Sequence, residues 1–108
     1  MTKWVNPFYK SARWRRARAK CLRRYQYECQ ETLRYGTHIE AETVHHIYPI
    51  EDYPELALKQ WNLLPVTDKK HNTFHNRFDN TITLKGKYWQ ERRKEEFDEW
   101  KNTRSGKE

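Results

Sequence analysis

Four of the chain's five histidines fall in two short runs, and the order of those runs constrains the fold more than any other feature. The first run, ETVHHIYPI, carries His45 and His46 in a β-branched stretch closed by Pro49, which predicts a strand around Thr43 to Tyr48. The second, VTDKKHNTFHNR, carries His71 and His75, with Thr67 or Asp68 able to cap a helix over roughly Asp68 to Phe78. Between them, IEDYPELALKQ reads as a loop with one helical turn, and Leu63 to Val66 as a short second strand. The resulting order of strand, long loop, strand and helix describes a small α+β unit.

Helical geometry puts residues i and i+4 on one face, so His71 and His75 can both reach one cation. Neighbours on a strand point to opposite faces, so one of His45 and His46 can complete a three-histidine site while the other stays unligated. Phosphoester hydrolysis uses that division of labour. A divalent cation polarises a phosphoryl oxygen, and a free imidazole, with an ordinary pKa of about 6.5, takes a proton from water. Taken singly, each histidine pair also fits a polar helix face, or one core and one solvated ring; together they narrow the reading. The Asn62 amide can both donate and accept, which suits pinning the long loop against the histidine-bearing strand or simply starting a turn.

The net charge of +7 is unevenly spread. Residues 1–27 hold nine of the 22 basic side chains and none of the 15 acids, leaving a slight acidic excess in the rest. A basic segment of this kind meets a polyanion. From Ser11, a plausible N-cap, SARWRRARAKCLRRYQY predicts a helix with Trp14, Ala17, Cys21, Leu22 and Tyr25 on its apolar stripe. Its arginines stay wet, and Arg13, Arg15, Arg16, Arg18, Arg23 and Arg24 are the candidate contacts to that polyanion. Pro7 marks an irregular arm before it.

At 108 residues the chain fits one domain with a modest core, for which five Trp, seven Tyr and four Phe supply large side chains. Cys21 and Cys29 are too few for a disulfide framework, and no run is apolar enough for a signal peptide or membrane span, so a cytoplasmic protein is expected. DNTITLKG predicts a turn and a short extended piece. A single helix over about 86–103 follows, with Trp89, Phe97 and Trp100 on one side and Arg92 and Glu96 as an i,i+4 pair, before a tail, SGKE, without apolar anchors.

VHHI, then NLL beginning at Asn62, then HNTFH resembles the HNH endonuclease family with its ββα-metal fold, over about Phe8 to Arg77 and most like the small phage nucleases. With the resemblance supplying a ββα-metal core (38–78), the expected organisation is a single domain over 1–108, with a basic arm and helix (1–27) before that core and, after it, a C-terminal helix (86–103) that has no counterpart in the family's core motif. The resemblance implies His45 and His71 as metal ligands, His75 as the additional ligand of a three-histidine branch, His46 as general base and Asn62 as the central Asn. It also implies a metal-dependent DNA endonuclease leaving 5′-phosphate and 3′-hydroxyl ends, using one divalent ion (Mg, Mn, Ni, Co or Zn), with phage terminase or portal proteins as partners. By the same resemblance, the polyanion that the six arginines contact is the phosphates of DNA. Many phage members carry two CxxC pairs binding a structural zinc; here those positions are Cys29, Thr32, Thr67 and Lys70, which predicts no structural zinc. Two other readings stay open: a DNA-binding module that keeps the fold without activity, and a protein whose histidines hold a purely structural metal.

Overall fold

A computed structural model describes residues 6–76, 78–79 and 81–105. Residues 1–5 of the basic arm, with Lys3, and 106–108 of the tail lie outside the described residues. The arm begins with a single 3-10 turn, Pro7–Lys10, in which the Asn6 side chain accepts from the Phe8 amide. Ser11 then caps helix α1 (Ala12–Arg24), accepting from the Trp14 amide at 3.1 Å. Of the predicted stripe, Trp14, Cys21 and Leu22 are buried, while Ala17 and Tyr25 pack at the core's edge. The helix stops because Gln26 and Tyr27 both adopt positive φ, at 56° and 60°, which reverses the chain.

A short helix that the sequence pattern did not announce, α2 (Gln30–Leu33), follows with Cys29 at its N-cap. Strand β1 (Thr43–His46) then pairs antiparallel with β2 (Leu63–Val66), setting Thr43 opposite Val66 and His46 opposite Leu63. β1 is shorter than predicted, although the Ile47 amide still donates to the Asn62 carbonyl at 2.9 Å. The connecting loop contains 3-10 turns at Pro54–Leu56 and Gln60–Asn62.

The helix expected over Asp68 to Phe78 is a correction. Helix α3 spans only Asp68–His71, capped by Thr67, whose hydroxyl accepts from the Lys70 amide. The Thr73 hydroxyl donates to the Lys70 carbonyl at 2.6 Å, occupying an acceptor that a longer helix would have used. Beyond it Phe74 enters the core, fully buried, and the chain turns into a hairpin in which His75 bridges Ile82. His75 is therefore not on the helix that carries His71.

The single C-terminal helix is likewise two helices, α4 (Leu84–Arg92) and α5 (Lys94–Ser105), separated at Arg93. The break lets two groups of aromatics reach different targets. Trp89 on α4 turns toward Glu31, whereas Phe97 on α5 stacks on Tyr48 with ring centroids 4.1 Å apart. The predicted Arg92 and Glu96 pair is replaced by Lys94 and Asp98 at 2.7 Å, because Arg92 donates to the Tyr88 hydroxyl instead. Gly86 has a definite role: a Cβ there would lie 2.7 Å from both the Phe74 carbonyl oxygen and Ile82 Cγ2. Among the described residues no helix is long and apolar enough to cross a membrane.

Candidate active site

An open cleft of about 470 Å³ lies between the N-terminal half of α1, strand β1 and the turn after α3. Alternation along β1 sends its two histidines in different directions. His45, 2% exposed, faces Phe74 and α3, with its ring centroid 4.5 Å from Phe74, 5.0 Å from His71 and 5.9 Å from His75. His46 faces the aromatic arm, 5.0 Å from the Trp14 indole centroid. The His71 and His75 centroids are 6.5 Å apart, brought near each other by the turn and the hairpin bridge rather than by one helix face.

Burial, then mutual repulsion with His71, His75 and His46 should they protonate, holds the His45 pKa well below the ordinary 6.5. Burial, then His75, lowers that of His71 against the opposing pull of Asp68. Burial lowers that of His46 as well, while the Ala57 carbonyl and Glu51 act in the other direction. Neutral rings at pH 7 keep a lone pair available.

His46 Nε2 lies 3.0 Å from the Ala57 carbonyl oxygen. A carbonyl can only accept, so Nε2 carries the proton and Nδ1 is left with the lone pair. Asn62 is fully buried outside the cleft. Its Oδ1 accepts from the Tyr48 amide at 2.7 Å, and its Nδ2 donates to the Tyr48 and Leu56 carbonyls. One amide thus staples the long loop to the residues just past β1.

Imidazole nitrogens bind first-row divalent ions at about 2.0–2.1 Å, which sets two rings on one ion with centroids roughly 5 Å apart. His45 and His71 have that spacing, and His75 stands wider. Among the described residues no group of three or more His, Cys, Asp or Glu is already closed into a metal-holding cluster. The donors suit a borderline-soft divalent ion, and a rotation of the half-buried His75 ring is the adjustment a third ligand needs.

No family model matches the chain, and none of the curated proteins matches it significantly. Among solved structures, the manganese-containing crystal structure of the HNH endonuclease from the deep-sea thermophilic bacteriophage GVE2 is similar, with 32% identity and a TM-score of 0.58. The match covers 60% of this chain and 71% of that one. This chain belongs to the HNH endonuclease family.

In this HNH endonuclease the four positions expected to match the family's zinc cysteines, Cys29, Thr32, Thr67 and Lys70, are linked by local hydrogen bonds, of which one is a helix cap. Cys29 accepts from the Thr67 amide through Sγ at 3.3 Å, the Thr32 hydroxyl donates to the Cys29 carbonyl, and Thr67 caps α3 through the Lys70 amide. Burial would push the Cys29 thiol up, but hydrogen bonds from Thr32 and from the Thr67 and Glu31 amides outweigh it and hold its pKa below the ordinary value.

The six candidate DNA-binding arginines do not share one face. Arg18 lines the histidine cleft, its Nη2 donating to the Glu42 carbonyl at 2.5 Å. Arg13 and Arg16 line a separate groove against Leu58, and Arg15 donates to the Lys10 carbonyl. Arg23 and Arg24 are exposed in the last turn of α1. Sequence patterning missed the wall of Phe8, Tyr9 and Trp14 around His46, because the aromatic positions had been accounted for as core or arm.

Proposed function

We propose that this HNH endonuclease hydrolyses DNA phosphodiester bonds using one divalent ion held by His45, His71 and His75, with His46 as general base. The observation that carries this reading is the divergence of two consecutive side chains. The His45 ring stands 5.0 Å from His71, while His46 keeps Nδ1 free with Nε2 committed to Ala57. When bound, the ion supplies Lewis acidity at the scissile phosphate and offsets negative charge on the departing oxygen.

His46 Nδ1 takes the proton of a water as its oxygen attacks phosphorus in line, and the 3′-oxygen leaves opposite, giving 5′-phosphate and 3′-hydroxyl ends. Asn62 acts by orientation, holding the Ala57 segment and β1 in register. Arg18 contacts the phosphate within the cleft, and the other α1 arginines hold flanking phosphates. The local hydrogen bonds at Cys29, Thr32, Thr67 and Lys70 support a fold without structural zinc. The basic helix, core and C-terminal helices act as one domain around a shared core. Similarity to a phage enzyme supports a phage-linked role in DNA processing, with terminase or portal proteins as the partners to test.

The test is cleavage of supercoiled plasmid by wild type and His46→Ala with Mg, Mn, Ni or Zn. Wild type is expected to convert plasmid with at least one ion and the variant to fail. An intact plasmid with every ion, or equal cutting by the variant, overturns the assignment.

A further inference from the structure

The His46 ring is packed by three aromatic side chains. Trp14, itself 5% exposed, sets its indole 5.0 Å from the imidazole in a tilted contact, at an interplanar angle of 31°. Phe8 and Tyr9 stand at 6.3 and 6.1 Å from the same ring and pack on Trp14 at 5.4 and 5.6 Å. One hydroxyl fixes this wall: Ser11 Oγ accepts from the Trp14 amide and donates to the Phe8 carbonyl at 2.7 Å. Cap and turn are thereby locked together, so the arm's aromatics and the first turn of α1 move as one piece.

A histidine held only by one hydrogen bond can still swing about that bond, carrying its other nitrogen out of line. The Ala57 carbonyl fixes Nε2, and aromatic rings packed against the imidazole restrict the remaining rotation. We propose that Trp14 is a positioning residue that packs against His46 and fixes the direction of its Nδ1 lone pair in the cleft. The basic N-terminal helix then has two jobs, gripping phosphates with its outer arginines and aiming the base with its inner tryptophan. This inference rests on His46 being the base.

Trp14→Phe keeps an aromatic face and Trp14→Leu keeps apolar bulk without one. Under single-turnover conditions with Mn and saturating enzyme, Trp14→Leu is expected to cut plasmid roughly ten- to a hundredfold more slowly, and Trp14→Phe to stay within about threefold of wild type. DNA affinity measured in EDTA and Mn affinity should both remain within about twofold, since neither depends on the direction of Nδ1. Wild-type cutting by Trp14→Leu, or a loss that follows its DNA or Mn affinity, overturns the proposal.

Nitrogen-detected NMR of the His46 ring in wild type and in Trp14→Leu gives a second reading. A sharp Nε2-protonated ring in wild type that broadens or becomes mixed in Trp14→Leu supports the proposal, and identical His46 spectra in the two proteins overturn it. If His46→Ala cuts as fast as wild type, the base assignment itself fails; if His46→Ala is dead while Trp14→Leu cuts normally, only the positioning role fails.

Discussion

The indole N–H of Trp89 donates to Glu31 Oε1 at 2.8 Å, joining α4 to α2 across 58 residues of sequence. Glu31 is wholly buried, and both of its oxygens also lie 3.1 Å from Arg34 Nη1, whose guanidinium sits 3.5 Å over the Tyr88 ring. One carboxylate therefore satisfies the α4 indole and the Arg34 guanidinium at the end of α2, which in turn covers Tyr88 of α4. Removing it strands both donors, so Glu31→Ala is expected to lower unfolding stability by about 2–4 kcal/mol. Trp89→Phe, which keeps most of the ring, should cost about 1–2 kcal/mol. Urea denaturation followed by circular dichroism measures both, and an unchanged midpoint for Glu31→Ala would show that the network contributes nothing net.

The lowered pKa values of His45, His71 and His46 make the metal-free protein sensitive to mild acid. Each shift is set first by burial, which disfavours the imidazolium in the folded state. As pH falls below about 6.5 the unfolded chain takes up protons that the folded chain refuses. Stability is thus fully present above that value and declines as pH drops toward the lower folded values. Denaturation in EDTA at pH 7.5, 6.5 and 5.5 should show this decline, and His45→Gln should flatten it. A midpoint that stays level from 7.5 to 5.5 in the wild type contradicts the burial argument.

The arginines of α1 should separate by position. Arg23→Ala and Arg16→Ala are expected to weaken DNA binding alike on any sequence and to reduce the slope of log affinity against log salt by about one each. Arg18→Ala should instead slow cleavage at saturating DNA, because that side chain shares the cleft with the histidines. Anisotropy titrations at several salt concentrations, paired with single-turnover cutting, distinguish the two effects. If all three variants behave alike, the cleft position of Arg18 has no separate consequence.

Local chemistry was legible in the sequence wherever neighbours in the chain decide the outcome. Ser11 and Thr67 cap the helices they were expected to cap, and Leu63–Val66 is a strand because a short apolar run in an α+β core has few alternatives. What could not be read were choices made by distant partners. α3 stops after His71 because Phe74 is drawn into the core and the following residues pair with Thr81 to Thr83. The break at Arg93 exists because Trp89 answers to Glu31 and Phe97 to Tyr48. The histidines show both effects. The four rings expected at one place do border one cleft, yet His75 arrives by a hairpin bridge and not along a helix face.

That route for His75 bears on metal stoichiometry. The residues at the positions expected for the family's zinc ligands are engaged in local hydrogen bonds: Thr67 caps through the Lys70 amide, Thr32 donates to the Cys29 carbonyl, and the Cys29 sulfur accepts from the Thr67 amide. Only one sulfur is present there, whereas tetrahedral structural zinc needs four protein ligands. The protein is therefore expected to retain at most one tightly bound ion per chain, on the histidine cluster. His71→Ala, which removes the ligand at the 5.0 Å spacing from His45, should lose it, and His75→Ala, whose ring stands wider, should weaken it less. Elemental analysis after dialysis reads both variants directly. A zinc ion retained at full occupancy in His71→Ala would contradict a single site that depends on His71.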